Sequence, residues 1–127
     1  MIKTLTPNLM VEDVNQTITF YEDVFGFELS QTVPEEGKFA WASMRSRDVE
    51  IMLQDRESLS EELPVFEGTP IGGSLTFYLR MDGLEAFYDR IKDQVTVLKE
   101  LHTTFYGMKE VAVKDPNGYI FVFAEAD

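Results

Sequence analysis

Cysteine is absent from this chain of 127 residues, and histidine and tryptophan occur only once each. Without cysteine the chain has no disulfide, no thiolate zinc site and no cysteine nucleophile. No segment approaches the ~20 apolar residues of a membrane-spanning helix, and residues 1–7 contain no apolar run of signal-peptide length. We therefore expect a soluble, cytoplasmic protein with no membrane partner.

Positive charge is also scarce. Eleven lysines and arginines stand against 23 aspartates and glutamates, which leaves a formal net charge of −12. Nucleic acids, anionic lipids and polyphosphates all need a basic surface, so the composition argues against these three classes of partner. An acidic chain suits a cationic ligand, although acidic surfaces also simply keep proteins in solution.

The length predicts a single domain, 1–127, and the pattern of its residues predicts two similar modules. In the first module, about 1–54, we expect a strand over 5–11 and then a helix that Asp13 caps and Gly26 ends. Three strands follow at 27–33, 39–44 and 49–54. Residues 55–70 are interpreted as a linker in which Ser58 caps one short helical turn together with Glu61.

The second module, about 71–127, repeats this order. We expect a strand over 75–79, a helix capped by Asp82, and strands at 95–98, 109–113 and 119–124. Residues 114–119 form the turn of the last hairpin, because Pro116 fixes its own φ and Asn117-Gly118 tolerate positive φ. The final strand is apolar at nearly every position, which predicts a central place in its sheet. The fold class is thus α+β, with two βαβββ modules whose cupped mixed sheets leave a cleft.

Several short motifs, taken in their order and spacing, resemble the vicinal oxygen chelate superfamily of glyoxalases, extradiol dioxygenases, fosfomycin-resistance enzymes and bleomycin-resistance proteins. The motifs are Pro-Asn-Leu-Met-Val-Glu-Asp at 7–13, Phe20-Tyr21, Phe25-Gly26-Phe27, Tyr-Gly-Met-Lys-Glu at 106–110 and Asp-Pro-Asn-Gly-Tyr at 115–119. The resemblance covers nearly the whole chain. It implies a homodimer, often with a cleft built from modules of both chains.

The resemblance also implies four positions for the ligands of a divalent metal, on the first and last strands of each module. Counted along this chain, they fall on Thr6, Thr76 and Val122, and on Met52 in the fourth strand, where Glu50 or Gln54 are alternatives. A site of this kind needs three or four converging nitrogen or oxygen ligands. We therefore expect no metal and no other cofactor, as in the metal-free members similar to bleomycin-resistance proteins.

Catalytic groups are as scarce as metal ligands. The only histidine, His102, falls in a predicted loop, 100–104, away from the four counted positions. General-base chemistry would then rest on an isolated carboxylate such as Glu50 or Glu110. For Glu110 we favour a charged strand residue that faces solvent or a cross-strand lysine, so no catalytic residue is assigned.

The alternate residues near the counted positions predict a small-molecule site with apolar walls and a few polar groups. Its expected ligand-binding residues are Asn8, Trp41, Met52, Gln54, Thr76, Tyr78, Phe105, Tyr106 and Met108. For Trp41 the alternation leaves core packing and ligand contact equally open. Met52 and Met108 also suit the role of core filler.

Three functions stay open on the sequence alone. We favour metal-independent binding or sequestration of a planar compound, with a preference for cations. The second is a glyoxalase-type lyase or isomerase that uses a non-standard site. The third is a structural or regulatory dimer with no small-molecule ligand.

Overall fold

The computed structural model describes the whole chain, residues 1–127, which divides into two compact units, Met1–Ile71 and Gly72–Asp127. The first unit contains β1 (Asn8–Val11), α1 (Val14–Phe20), a π-helical turn (Tyr21–Phe25), β2 (Glu28–Val33), β3 (Trp41–Ser46), β4 (Val49–Asp55), α2 (Arg56–Glu62) and a 3-10 turn (Pro64–Phe66). The second contains β5 (Thr76–Arg80), α3 (Leu84–Ile91), β6 (Thr96–Thr103), β7 (Met108–Lys114) and β8 (Ile120–Ala126). The predicted α+β class and the repeated βαβββ order are confirmed.

Each unit is organised on a four-stranded mixed sheet. The strand order is β1-β4-β3-β2 in the first sheet and β5-β8-β7-β6 in the second. In each sheet the first strand runs parallel to the last, and the other neighbours are antiparallel. Strand β8 lies between β5 and β7, which confirms the central place predicted from its apolar run.

Helix α1 begins and ends as predicted. The Asp13 carboxylate accepts a hydrogen bond from the backbone N–H of Gln16, and Gly26 ends the helical segment with a φ of 80°. Val14, Ile18, Tyr21 and Phe25, which recur at the spacing of one helix face, are all buried. Burial of this apolar stripe, rather than helix propensity, stabilises so short a helix.

Helix α3 shows that the predicted cap at Asp82 is wrong. The helix starts after Gly83, whose φ is 71°, and no side chain of its own first turn caps it. Instead, the Glu125 carboxylate on β8 accepts hydrogen bonds from the backbone N–H groups of Gly83 and Leu84, at 2.9 and 3.1 Å. A carboxylate at a helix N-terminus also complements the helix dipole, so a distant strand residue replaces the local cap.

Within residues 55–70, helix α2 shows that the predicted single helical turn capped by Ser58 is wrong. The capping residue is Asp55, which accepts a hydrogen bond from the backbone N–H of Ser58 at 2.7 Å. The helix continues for seven residues and buries Leu59. This burial supplies the tertiary packing that a one-turn helix would lack.

Several strand boundaries also differ from the predictions, and β3 spans Trp41–Ser46 rather than 39–44. Strand β1 begins at Asn8 rather than residue 5, and β6 continues to Thr103, so His102 lies in a strand and not in a loop. The final hairpin is confirmed: Asp115 and Tyr119 share a backbone hydrogen bond, and the Asp115 carboxylate accepts from the N–H groups of Asn117 and Tyr119. None of the helices has the length and apolar character needed to cross a membrane.

Candidate functional site

The second sheet has two unlike faces. Helix α3 packs on one of them, where its Phe87 ring lies 4.9 Å from that of Phe123 and where Val111 and Val113 are buried. The strand register places the alternate residues on the other side, which we call the face opposite α3: Tyr78 lies beside Val122, and Arg80 and Glu110 flank Ala124. This face is the one left without a helix.

A buried carboxylate lies on the face opposite α3. Glu110 is only 7% exposed, and its Oε2 accepts hydrogen bonds from the hydroxyls of Tyr78 and Tyr106, both at 2.6 Å. The expectation that Glu110 faces solvent or a cross-strand lysine is therefore wrong, because its cross-strand partner on β6 is His102. The single histidine thus lies beside the carboxylate, and its Nδ1 is 2.7 Å from the carbonyl oxygen of Glu100.

The hydrogen bonds decide the protonation states of this group. Desolvation by burial raises the pKa of Glu110, but the hydroxyls of Tyr106 and Tyr78 and the charges of His102 and Lys99 outweigh it and leave the pKa below its ordinary value. The hydrogen bond to Glu110, followed by desolvation, raises the pKa of Tyr78 to about 12 and also raises the pKa of Tyr106. At neutral pH the site therefore holds an ionised carboxylate and two neutral phenols.

Exposed aromatic side chains surround the carboxylate. Tyr78 and Tyr106 are 47% and 54% exposed although both hydroxyls are engaged, so their rings provide the accessible surface. Phe105 is fully exposed in the turn before β7, and its ring meets that of Tyr106 edge to face, with centroids 5.0 Å apart. The neighbouring Met108 is half-buried at the start of β7, and Thr76 is exposed two residues before Tyr78.

The first sheet carries the other predicted residues on the face opposite α1. The register aligns Asn8 with Met52, and Trp41 with Gln54, across neighbouring strands. Trp41 and Met52 are half-buried, and Asn8 is exposed. This places Trp41 on the sheet face away from the buried Ala42 and Met44, and not among the core residues under α1.

The two amides on this face differ in what they can offer a ligand. Asn8 donates to Oε1 of Gln54 at 2.9 Å, and Gln54 in turn donates to Ser58 Oγ at 2.9 Å and to Glu62 Oε2 at 3.1 Å. Gln54 is buried, and its two N–H groups are both used in holding α2 to β4. Only the Asn8 amide oxygen accepts no hydrogen bond from the chain.

The four counted metal positions do not fit a metal ion. Met52 pairs with Asn8 in the first sheet, and Val122 pairs with Tyr78 in the second. Met52 and Val122 are therefore equivalent positions in the two modules. The alternative ligand Glu50 forms an ion pair with Arg45 at 2.8 Å and accepts a long hydrogen bond from Thr6 at 3.4 Å. The structure contains no group of three or more His, Cys, Asp or Glu side chains placed to hold a metal ion.

The burial of Glu110 was not predicted from the sequence, and the prediction of a loop at His102 is wrong. One signal was available: strict alternation with the buried Val111 and Val113 assigns Glu110 to the opposite face of β7. Its burial could not be foreseen, because Tyr78 lies 32 residues away in sequence.

The family model of the Glyoxalase/Bleomycin resistance protein/Dioxygenase superfamily matches residues 3–123, whereas no curated protein matches the chain. A solved protein of unknown function from Agrobacterium tumefaciens str. C58 is similar with 17% identity and a TM-score of 0.82, covering 100% of this chain and 96% of its own. A glyoxalase/bleomycin resistance protein/dioxygenase from Nocardioides has 17% identity and a TM-score of 0.79, with coverages of 99% and 85%. TnmS3, an antibiotic binding protein from Streptomyces sp. CB03234, has 21% identity and a TM-score of 0.71, with coverages of 100% and 99%. At these identities the likeness shows a common fold.

Proposed function

The chain belongs to the glyoxalase/bleomycin resistance protein/dioxygenase superfamily, and from that premise we propose that it binds or sequesters a planar organic molecule, cations above all, without a metal ion. The observation that carries the proposal is the set of exposed rings of Tyr78, Phe105 and Tyr106 around the buried, ionised Glu110. The antibiotic binding described for TnmS3 supports the same kind of function on the same fold.

The preference for planar cations follows from the chemistry of this group. Flat aromatic side chains offer broad contact area, and their negative ring faces attract cations. The carboxylate adds a full negative charge whose burial limits screening by water. An anionic planar compound would be repelled by the same carboxylate.

We propose two sets of ligand contacts, one on each sheet. Thr76 and Met108 extend the aromatic set on the second sheet, and on the first sheet the contacts are Asn8, Trp41 and Met52, with Gln54 holding the Asn8 amide. These residues combine apolar walls with few polar groups, as small-molecule sites generally do. We also propose that the protein works as a cytoplasmic homodimer.

Metal independence is supported by the residues at the counted positions. Thr6, Thr76, Val122 and Met52 offer neither imidazole nor carboxylate, and Glu50 is already paired with Arg45. Divalent metals of this class need several such ligands at one point.

A lyase or isomerase would need Glu110 to act as a general base, since it is the buried carboxylate on the face opposite α3. Two hydroxyl donors and the nearby charges of His102 and Lys99 lower its pKa, which weakens it as a base. The hydrogen bonds therefore favour binding over proton abstraction.

Titration of a fluorescent planar cation, acridine orange, with the protein tests the proposal through fluorescence anisotropy. We expect saturable binding that weakens as salt rises and that is stronger than the binding of the planar anion anthracene-2-sulfonate. Tyr106→Ala should weaken it, whereas Tyr88→Ala on α3 is the matched control and should not. Absence of saturation, stronger binding of the anion, or equal effects of both substitutions would each contradict the proposal.

A further inference from the structure

The two oxygens of the Glu110 carboxylate are used unequally. Both tyrosine hydroxyls donate to Oε2, and no hydrogen bond from the chain reaches Oε1. The residue as a whole is only 7% exposed. An ionised carboxylate has about four acceptor positions, so roughly half of its capacity is left for something other than the protein.

The one fully buried side-chain polar atom that lacks a partner is Ser60 Oγ, so Oε1 of Glu110 is open to solvent and can be reached by a ligand. An ionised oxygen of this kind takes its remaining hydrogen bonds from water or from a ligand. We propose that Oε1 of Glu110 binds an N–H group of the ligand, which makes the ligand class a planar aromatic amine or amidine in its protonated form. The inference rests on the function proposed above, and it assigns the polar contact with the ligand to one atom, Oε1 of Glu110.

The ionisation of Glu110, and not its cationic neighbours, favours a hydrogen-bond donor over an acceptor at Oε1. Glu110 is ionised at neutral pH and can only accept hydrogen bonds, so an anionic or acceptor group at Oε1 would be repelled. His102 and Lys99 lie close enough to stabilise the carboxylate, and Arg80 lies close enough to act on Tyr78. These cations lie near the site without a hydrogen bond to Oε1, so a ligand N–H can contact this oxygen directly. A charged donor forms the strongest hydrogen bond there.

The tyrosines orient the ligand without competing for its N–H group. Each hydroxyl is committed to Oε2, so both rings are held within one hydrogen bond of the same carboxylate. A planar ligand that contacts the rings then has its edge near Oε1. The geometry thus distinguishes a ring that carries an N–H from an equally charged ring that does not.

Two acridinium probes of equal charge separate these cases. 9-Aminoacridine is a planar cation with N–H donors, and 10-methylacridinium is a planar cation with none. By isothermal titration calorimetry we expect the wild-type protein to bind 9-aminoacridine about tenfold or more tightly than 10-methylacridinium. Because charge is common to both, the change in their affinity ratio when the acceptor is removed reports the N–H contact.

Glu110→Gln then removes the acceptor with little change of shape. The amide oxygen can still accept from both tyrosines, while an NH₂ group replaces Oε1. We expect the ratio to fall to about twofold or less, and Glu85→Gln, which removes the same charge from α3, should leave it unchanged. The melting temperature of each variant verifies that it is folded.

The outcomes separate the inference from the proposed function. If the wild-type protein binds both cations equally tightly, the inference is wrong while the proposed function survives, and this comparison needs no variant. If Glu110→Gln folds and keeps the wild-type ratio, the contact lies elsewhere and the inference again fails. If neither cation binds, both proposals fall together.

Discussion

At the scale of single residues, the central feature is a carboxylate that is buried yet ionised. Burial alone would favour the protonated form of Glu110, and the hydroxyls of Tyr106 and Tyr78 reverse that preference. Because the folded-state pKa lies below the ordinary value, ionisation of Glu110 stabilises the fold at pH values above the unfolded-state pKa. That stabilisation is lost as the pH falls through the folded-state pKa.

Removal of both hydroxyls should change this pH dependence. In the double variant Tyr78→Phe/Tyr106→Phe, burial is no longer offset by these donors, so the pKa of Glu110 rises. We expect the free energy of unfolding of the variant to fall below that of the wild type by an amount that grows from acid to neutral pH. Urea unfolding between about pH 3 and pH 7 measures it.

Tyr88→Phe is the matched control, because it removes a tyrosine hydroxyl from α3. It should lower stability equally at all pH values or not at all. A pH-independent gap between the double variant and the wild type would show that the tyrosines do not set the ionisation of Glu110.

The difference between predictable and unpredictable residues is one of sequence separation. Alternation along a single strand assigns Trp41, Met52 and Tyr78 to one face of their strands, and it needs no information about the neighbouring strands. The contacts of Glu110 with Tyr78, and of Gln54 with Asn8, join residues far apart in the chain. Their burial and their hydrogen bonds depend on strand order, which a local pattern does not encode.

At the scale of elements, the helix caps show the same division. Asp13 caps α1 from the position adjacent to the helix, and the pattern predicted it. Glu125 caps α3 from β8, so the prediction of Asp82 as the cap is wrong. The predicted β6 is too short because residues 99–103 are mostly polar, and pairing with β7 overrides that local signal.

The assignment of the α2 cap leads to a measurable expectation. Asp55→Ala should lower the free energy of unfolding by about 1 kcal/mol, since the Ser58 N–H loses its acceptor. Asp55→Asn is the control and should retain most of the stability, because an amide oxygen also serves as an N-cap. Urea denaturation compares the two variants, and equal losses in both would argue against a capping role.

At the scale of the whole molecule, several apolar side chains are exposed in the isolated chain. They include Met1, Ile2, Leu5, Val33, Val65 and Leu98. Symmetric homodimers are the commonest oligomers, and a second copy could cover apolar side chains of this kind. We therefore expect a homodimer.

Sedimentation equilibrium at micromolar concentration tests that expectation. The mass should be twice the 14.6 kDa of one chain, and it should not depend on salt strongly if apolar contacts dominate. A single-chain mass that shows no association on concentration would leave these side chains exposed and refute the dimer.

The claim that this chain binds a planar molecule without a metal is tested most directly by equilibrium dialysis of acridine orange against protein stripped with EDTA. The account predicts saturable binding with the same Kd before and after chelation, since Thr6, Thr76, Val122 and Met52 offer a metal no suitable ligand set. Binding that disappears with EDTA and returns on addition of Ni²⁺, Zn²⁺, Mn²⁺ or Fe²⁺ would contradict it, as would the absence of binding in both states.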